Sequence, residues 1–169
     1  MAAVSIEVRR LRRDEWAAWR ALRLRALREA PPYAFSSTYE AQSALPDDFW
    51  RQRTAVLADS TEQAMFVVED GDALLGCVGV ARETDDTASA ISMWVSPEAR
   101  GRGLGLALLD AAVDHWRRAG GRVLRLEVTD GNAEARGLYR RFGFRDTGRA
   151  TPFERDPELV EREMELRLQ

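Results

Sequence analysis

The feature that most constrains this 169-residue chain is the run from Val95 to Leu109, VSPEARGRGLGLALL. An apolar segment, Ala90 to Val95, leads into it and reads as a strand end. Proline has no N–H to give to a ladder, so the strand stops at Pro97. Gly101, Gly103 and Gly105 alternate next. From Leu104 the residues Leu104, Leu108, Ala111, Ala112, His115 and Trp116 recur at steps of three and four, a helical spacing. The order is strand, Gly-rich turn, helix. Glycine lets a backbone approach a ligand with no Cβ in the way. The first N–H groups of a helix lack internal partners and carry the positive end of its dipole. Together they make a seat for phosphate. The plainer alternative is a left-handed Gly turn that holds no ligand.

Two common nucleotide loops are excluded. The Walker pattern requires G-x-x-x-x-G-K-[ST], and all 25 basic residues here are arginine. The dinucleotide fingerprint requires G-x-G-x-x-G, whereas the glycines here are spaced G-x-G-x-G. What stands in the chain is R-x-x-G-x-G, formed by Arg100, Gly103 and Gly105, just after a V-x-P strand end. This resembles the acyl-CoA pyrophosphate loop of the GNAT superfamily of N-acetyltransferases.

Composition narrows the class. A chain of 169 residues reads as one domain, residues 1–169, able to bury about 70% of its unfolded surface. Hydrophobic residues make up 45% and charged residues 31%, the balance of a soluble globular protein. No apolar run reaches the roughly 18 residues a membrane span needs. The opening MAAVSIEVRR lacks a signal-peptide layout. Cys77 is the lone cysteine, so no internal disulfide forms, which suits a cytoplasmic location. With no pKa-lowering neighbour in sequence, it reads as a buried, inert thiol. A net charge of −3 gives no global reason to expect a nucleic-acid partner, and no membrane partner is expected.

Along the chain, Ser5 to Arg9 alternates as a first strand, and Asp14 looks like the N-cap of a helix ending at Glu29. Eight arginines fall between positions 9 and 28. They read as a solvated, charge-balanced face, the sharper alternative being a basic rim for an anionic ligand. Tyr33 to Glu40 has no clean period, and a second helix is expected from Pro46 to Ala58. Ala64 to Glu69 and Ala73 to Arg82 flank Asp70-Gly71-Asp72, a hairpin signal. Ala88 to Val95 feeds the Gly-rich turn. After the long helix come the strand Arg122 to Thr129, a short helix from Ala133, a strand from Arg145 to Arg149, a loop over Thr151 to Glu161, and a last strand from Arg162 to Leu168. The element order predicts an α/β fold: a twisted mixed sheet of about seven strands with helices on both faces. The strands on either side of the Gly-rich turn should be parallel.

A second signature strengthens the resemblance. Asn132 to Phe144, NAEARGLYRRFGF, is similar to the GNAT pattern N-x-x-A-x-x-L-Y-x-[KR]-x-G-F, and the two motifs together span roughly residues 88 to 149. Gly137 departs from a good helix interior at about 1 kcal/mol relative to alanine, and close approach of a neighbour would explain it. The resemblance implies a GNAT-type acyl-CoA N-acyltransferase fold and acetyl transfer from acetyl-CoA, the co-substrate, to a primary amine of a small molecule or a protein N-terminus. No metal is implied. It also implies the cofactor-binding positions: Arg100, Gly101, Arg102, Gly103, Leu104, Gly105 and Leu106 for the pyrophosphate, Met93 and Val95 for the pantetheine, and Asn132 and Tyr139 for the arm and sulfur. Val95 N–H would stabilise the oxyanion, and Tyr139 would hydrogen-bond or protonate the departing thiolate.

The general base is not carried by the strand before the loop, Ala88-Ser89-Ala90-Ile91-Ser92-Met93-Trp94-Val95, which has no carboxylate. Glu127 on the next strand is the candidate, by similarity to ribosomal-protein N-terminal acetyltransferases; deprotonation through water is the alternative. His115, the only histidine, lies too far along its helix to serve. The alternative to an enzyme is an acyl-CoA-binding or sensor domain without catalysis. A homodimer stays open, and the acceptor, set by Tyr33 to Trp50 and the Thr151 to Glu161 segment, is not identified.

Overall fold

The computed structural model describes residues 5–169. The reading of the first residues as lacking a signal layout rests partly on residues 1–4, which lie outside the described residues. Seven strands form one mixed sheet in the order β1-β2-β3-β4-β5-β7-β6. The strands are β1 (Glu7–Arg10), β2 (Gln63–Asp70), β3 (Ala73–Arg82), β4 (Thr87–Val95), β5 (Val123–Thr129), β6 (Arg145–Phe153) and β7 (Asp156–Arg167). The helices are α1 (Trp16–Glu29), α2 (Tyr39–Ser43), α3 (Asp47–Asp59), α4 (Leu104–Arg118) and α5 (Ala133–Phe142). Among the described residues only β4 and β5 run parallel, the pair on either side of the Gly-rich turn.

Strand β2 explains why helices cover both faces. Ala64, Phe66 and Val68 pack with Leu108, Leu109 and Ala112 of α4, while Met65 and Val67 pack with Trp19 and Leu22 of α1 and with Trp50 and Leu57 of α3. A strand buried on both sides loses its polar alternation, hence the continuous run AMFVV. No helix among the described residues is long and apolar enough to cross a membrane.

Several sequence expectations shift. Helix α1 starts at Trp16, and Asp14 does not cap it. The Glu15 carboxylate instead accepts from the Arg12 N–H and the Arg9 guanidinium, closing the turn by an ion pair. A short helix, α2, occupies part of the segment without a clean period, capped by Thr38 through the Ala41 N–H. Pro46 precedes α3 as its N-cap and not as its first residue. The largest change concerns Thr151 to Glu161. It is no loop: β6 and β7 continue through it, with only Glu154 and Arg155 turning between them. Pro152 is tolerated because β6 is the edge strand, where a missing N–H leaves no neighbour unpaired. Gly137 has no close neighbour either; a Cβ there would meet only the Arg141 side chain, at 3.4 Å.

Candidate active site

The site begins with a defect in β4. The register pairs Cys77 with Trp94 and Gly79 with Ile91, so Val78 alone faces both Ser92 and Met93. This extra residue is a bulge, and Ser92 takes the left-handed φ of 55° that it requires. The Cys77 thiol pins it by donating to Ser92 O at 3.1 Å. A bulge bends its strand. Accordingly β4 pairs with β5 only over Thr87 to Ser89, and beyond that point the two parallel strands separate.

The separation leaves polar backbone facing a gap. Ser96 N–H donates to Leu75 O at 2.7 Å, and Gly76 faces Val95. In an antiparallel ladder successive residues point their N–H and C=O groups to opposite edges. Val95 therefore presents its pair toward the opened side. Its carbonyl is taken by Arg100 Nε at 3.0 Å, and its N–H is left for a ligand.

The Gly-rich turn closes one end of the gap. Gly101 and Gly103 both have φ of 75°, and a Cβ at either would meet nothing within 4 Å. Glycine is needed there for conformation, not for room. Gly105 is the reverse: its Cβ would lie 3.0 Å from Leu138 Cδ2, so it lets α4 pack close to α5. The first N–H of α4 with a backbone partner is Ala107, which donates to Gly103 O at 3.1 Å. Among the described residues the N–H groups of 101–106 have no backbone acceptor, which is the donor set an anionic pyrophosphate fits.

A cleft of roughly 980 Å³ opens between the separated strands. Of the residues implicated by sequence, Met93, Val95, Arg100, Gly101, Gly103, Leu104, Gly105, Leu106, Glu127, Asn132 and Tyr139 all line it. Arg102 is exposed and forms no part of the wall. Asn132 is partly engaged: its Oδ1 caps α5 by accepting the Ala135 N–H at 3.3 Å, which leaves its amide NH₂ for a ligand. Tyr139 is 7% exposed, with its ring edge-on to Phe144 at 5.9 Å. Burial pushes its phenol up to about 12.

The alternation on β5 sends Leu126 and Val128 into the core and leaves Glu127 on the cleft face. Its cross-strand partner is Glu163. Glu161, opposite Thr129, also lines the cleft; burial, then Glu127 and Glu154, raise its carboxyl above the usual range. In sequence Glu161 reads as one of four carboxylates, with Glu154, Asp156 and Glu158, in an acid-rich loop that is either solvated charge or a hint of a cationic acceptor, because a loop gives a carboxylate no defined face.

The remaining wall is the segment 31–36, which follows α1. It is held from two sides. Thr129 Oγ1 donates to Tyr33 O at 3.1 Å. Arg155 Nη1 donates to Pro32 O, Phe35 O and Ser37 O at 3.1, 3.1 and 3.3 Å. Phe153 and Glu154 reach the cleft as well, whereas Trp50 lies in the core and Phe49 on the surface.

The arginines of the first 28 residues mostly follow the charge-balanced reading. Arg9 pairs with Glu15 and Glu69, Arg13 with Asp59, and Arg25 with Glu29 and Glu98. Arg10 donates to the carbonyls of Leu57, Ser60 and Gln63. Arg20 and Arg23 depart from it, each with a buried nitrogen that has no acceptor; of the two, Arg23 lines the cleft and is 9% exposed. Two other residues behave as expected. Cys77 is buried, and desolvation pushes its thiol up to about 12. His115 packs against Phe66 at 5.5 Å, away from the cleft.

Residues 10–144 match the family described as the Acetyltransferase (GNAT) family. The chain belongs to this family. Among curated proteins it is 34% identical to a mycothiol acetyltransferase of Beutenbergia cavernae over 128 residues, covering 75% of this chain and 40% of that one. A second mycothiol acetyltransferase, from Geodermatophilus obscurus, is 39% identical over 85 residues, 47% of this chain and 28% of that one. The chain thus spans well under half the length of these two relatives. Among solved structures, an acetyltransferase of the GNAT family from Streptococcus pneumoniae superposes with a TM-score of 0.83 at 18% identity, covering 98% of this chain and 100% of that one. The Salmonella typhimurium protein yncA, solved with its cofactor acetyl-CoA, superposes with a TM-score of 0.76 at 22% identity over 98% of this chain and 95% of that one. The seven-stranded mixed sheet is the GNAT acyl-CoA N-acyltransferase fold.

Proposed function

We propose that this GNAT protein is an N-acetyltransferase that passes the acetyl group of acetyl-CoA directly to a primary amine. The observation that carries this reading is the convergence, on one cleft, of the unpartnered N–H groups of 101–106, the free edge of β4 at Val95 and the buried Tyr139 phenol. Acetyl-CoA supplies an activated acetyl group as a thioester.

The chain's own residues meet three needs of the transfer. Alkylammonium groups hold their proton up to a pKa of about 10, so a base must remove it. Glu127 stands on the cleft face for that, with Glu161 beside it on β7. Negative charge on the carbonyl oxygen calls for a fixed donor, the Val95 N–H. The departing sulfur needs a proton or a hydrogen bond. Tyr139 keeps its proton at neutral pH, because burial raises its phenol to about 12. Asn132 adds its free amide N–H groups to the cofactor side.

The test is thiol release from acetyl-CoA across a broad panel of primary amines, with thermal stabilisation by acetyl-CoA measured in parallel. Amine-dependent release supports transfer. Stabilisation without release from any amine would refute it in favour of a non-catalytic acyl-CoA-binding domain.

A further inference from the structure

The cleft has a charged group that acetyl-CoA binding and acetyl transfer leave unused. Arg23 projects from α1, is 9% exposed and lines the cleft. Its Nε donates to Gln42 Oε1 at 3.2 Å, and its guanidinium lies 4.7 Å from the centre of the Phe35 ring. Its Nη1 is buried and has no acceptor. Among the described residues no carboxylate lies within ion-pair distance of it, in contrast to Arg9, Arg13 and Arg25 on and around the same helix. A buried guanidinium without a counter-charge is unfavourable unless something anionic completes it.

A second donor without an acceptor lies in the adjoining core cluster. Trp94 Nε1 is buried without an acceptor, and Trp94 also lines the cleft. Trp94 packs in the same cluster as the α1 side chains and faces Cys77 across the β3–β4 ladder. Glu127 and Glu161, on β5 and β7, line the same cleft with the opposite sign, so the cleft holds a partner for an anion in Arg23 and partners for an ammonium in the two glutamates.

Resting on the acetyl-transfer reading, we infer that the acceptor is an amine that also bears a carboxylate, the free amino acids being the simplest case, with Arg23 as the residue that selects it. The carboxylate completes the Arg23 guanidinium, a planar fork suited to two oxygens. The amine then lies toward Glu127 and the thioester. Arg23 is a specificity residue: it holds the acceptor and takes no part in proton transfer.

The test compares matched acceptors in the intact chain: phenylalanine with phenethylamine, arginine with agmatine, and each amino acid with its methyl ester. The carboxylate-bearing member should have the higher kcat/KM by about thirtyfold or more, the scale of a lost buried charge pair. Arg23→Met should erase that preference through KM, so that the kcat/KM ratio within each matched pair falls toward one. Arg23→Lys should restore part of it, which separates lost charge from lost packing. Equal use of both members by the unmodified chain, or an equal loss for both in Arg23→Met, would overturn the inference.

A binding arm separates this inference from the reading beneath it. With CoA present, N-acetylphenylalanine should raise the melting temperature of the unmodified chain and not that of Arg23→Met, while N-acetylphenethylamine should act alike on both. Carboxylate-selective binding without turnover of any amine would uphold Arg23 and sink acetyl transfer. Turnover without carboxylate selectivity would do the opposite.

Discussion

Replacing Tyr139 by phenylalanine isolates one atom of the proposed chemistry. The ring is 7% exposed and packs edge-on against Phe144, and phenylalanine preserves that contact. The hydroxyl makes no hydrogen bond that shifts its titration; burial alone pushes the phenol up to about 12. Its removal leaves no partner unsatisfied, so stability at neutral pH should change by no more than about 0.5 kcal/mol. Acetyl-CoA should stabilise the variant as it does the parent. Loss of a positioned proton donor should lower kcat by about 10²- to 10⁴-fold, followed as thiol release at saturating acetyl-CoA. The same substitution has a second signature at high pH. The folded phenol titrates near 12 against an ordinary value of 10.0. A raised folded pKa means stability that is complete below the unfolded value and is lost as pH rises through the folded one. Two units correspond to about 3 kcal/mol, lost between about pH 10 and 12 by the parent and not by the variant. A kcat within about threefold of the parent would refute the assignment of Tyr139 as the proton donor. A matching loss of acetyl-CoA binding would show a role in holding the cofactor instead.

Three further substitutions test separate parts of the site. Gly103→Ala forces a Cβ onto a backbone at φ 75°; with open space around it, the cost is conformational, about 1 kcal/mol, and should appear as weaker acetyl-CoA binding in calorimetry. Glu127→Gln should lower kcat with acetyl-CoA affinity unchanged; an unaltered kcat would move the base role to Glu161 or to water, which Glu161→Gln then separates. Gly137→Ala should stabilise the chain by up to about 1 kcal/mol in thermal denaturation, since only the Arg141 side chain lies near the new Cβ.

Much of the Gly-rich end of the cleft was legible in sequence because it is built from local backbone. The Gly-rich turn, the N-terminus of α4 and the N-cap at Asn132 each depend on residues a few positions apart, and local chemistry leaves a local pattern. The hairpin of β2 and β3 was legible for the same reason. The acceptor side was not. Arg23 looked like one of eight similar arginines, and only the packing of α1 on the sheet buried it and left it unpaired. Glu161 had no readable face until β7 paired with β5 and set Glu127 and Glu161 on one wall. The bulge at Ser92, which opens the cleft, follows from the register between β3 and β4, a property of two strands that neither sequence segment carries alone.

The sequence by itself determined the family, the alternation of strands and helices and the Gly-rich turn that leaves the N–H groups of 101–106 without backbone acceptors, because each is written in short-range spacing. The tertiary structure decided how far β4 and β5 part, that Arg23 is buried in the cleft without a counter-charge and which glutamates share that cleft. Those depend on burial and cross-strand register, and burial and register exist only once distant segments have packed.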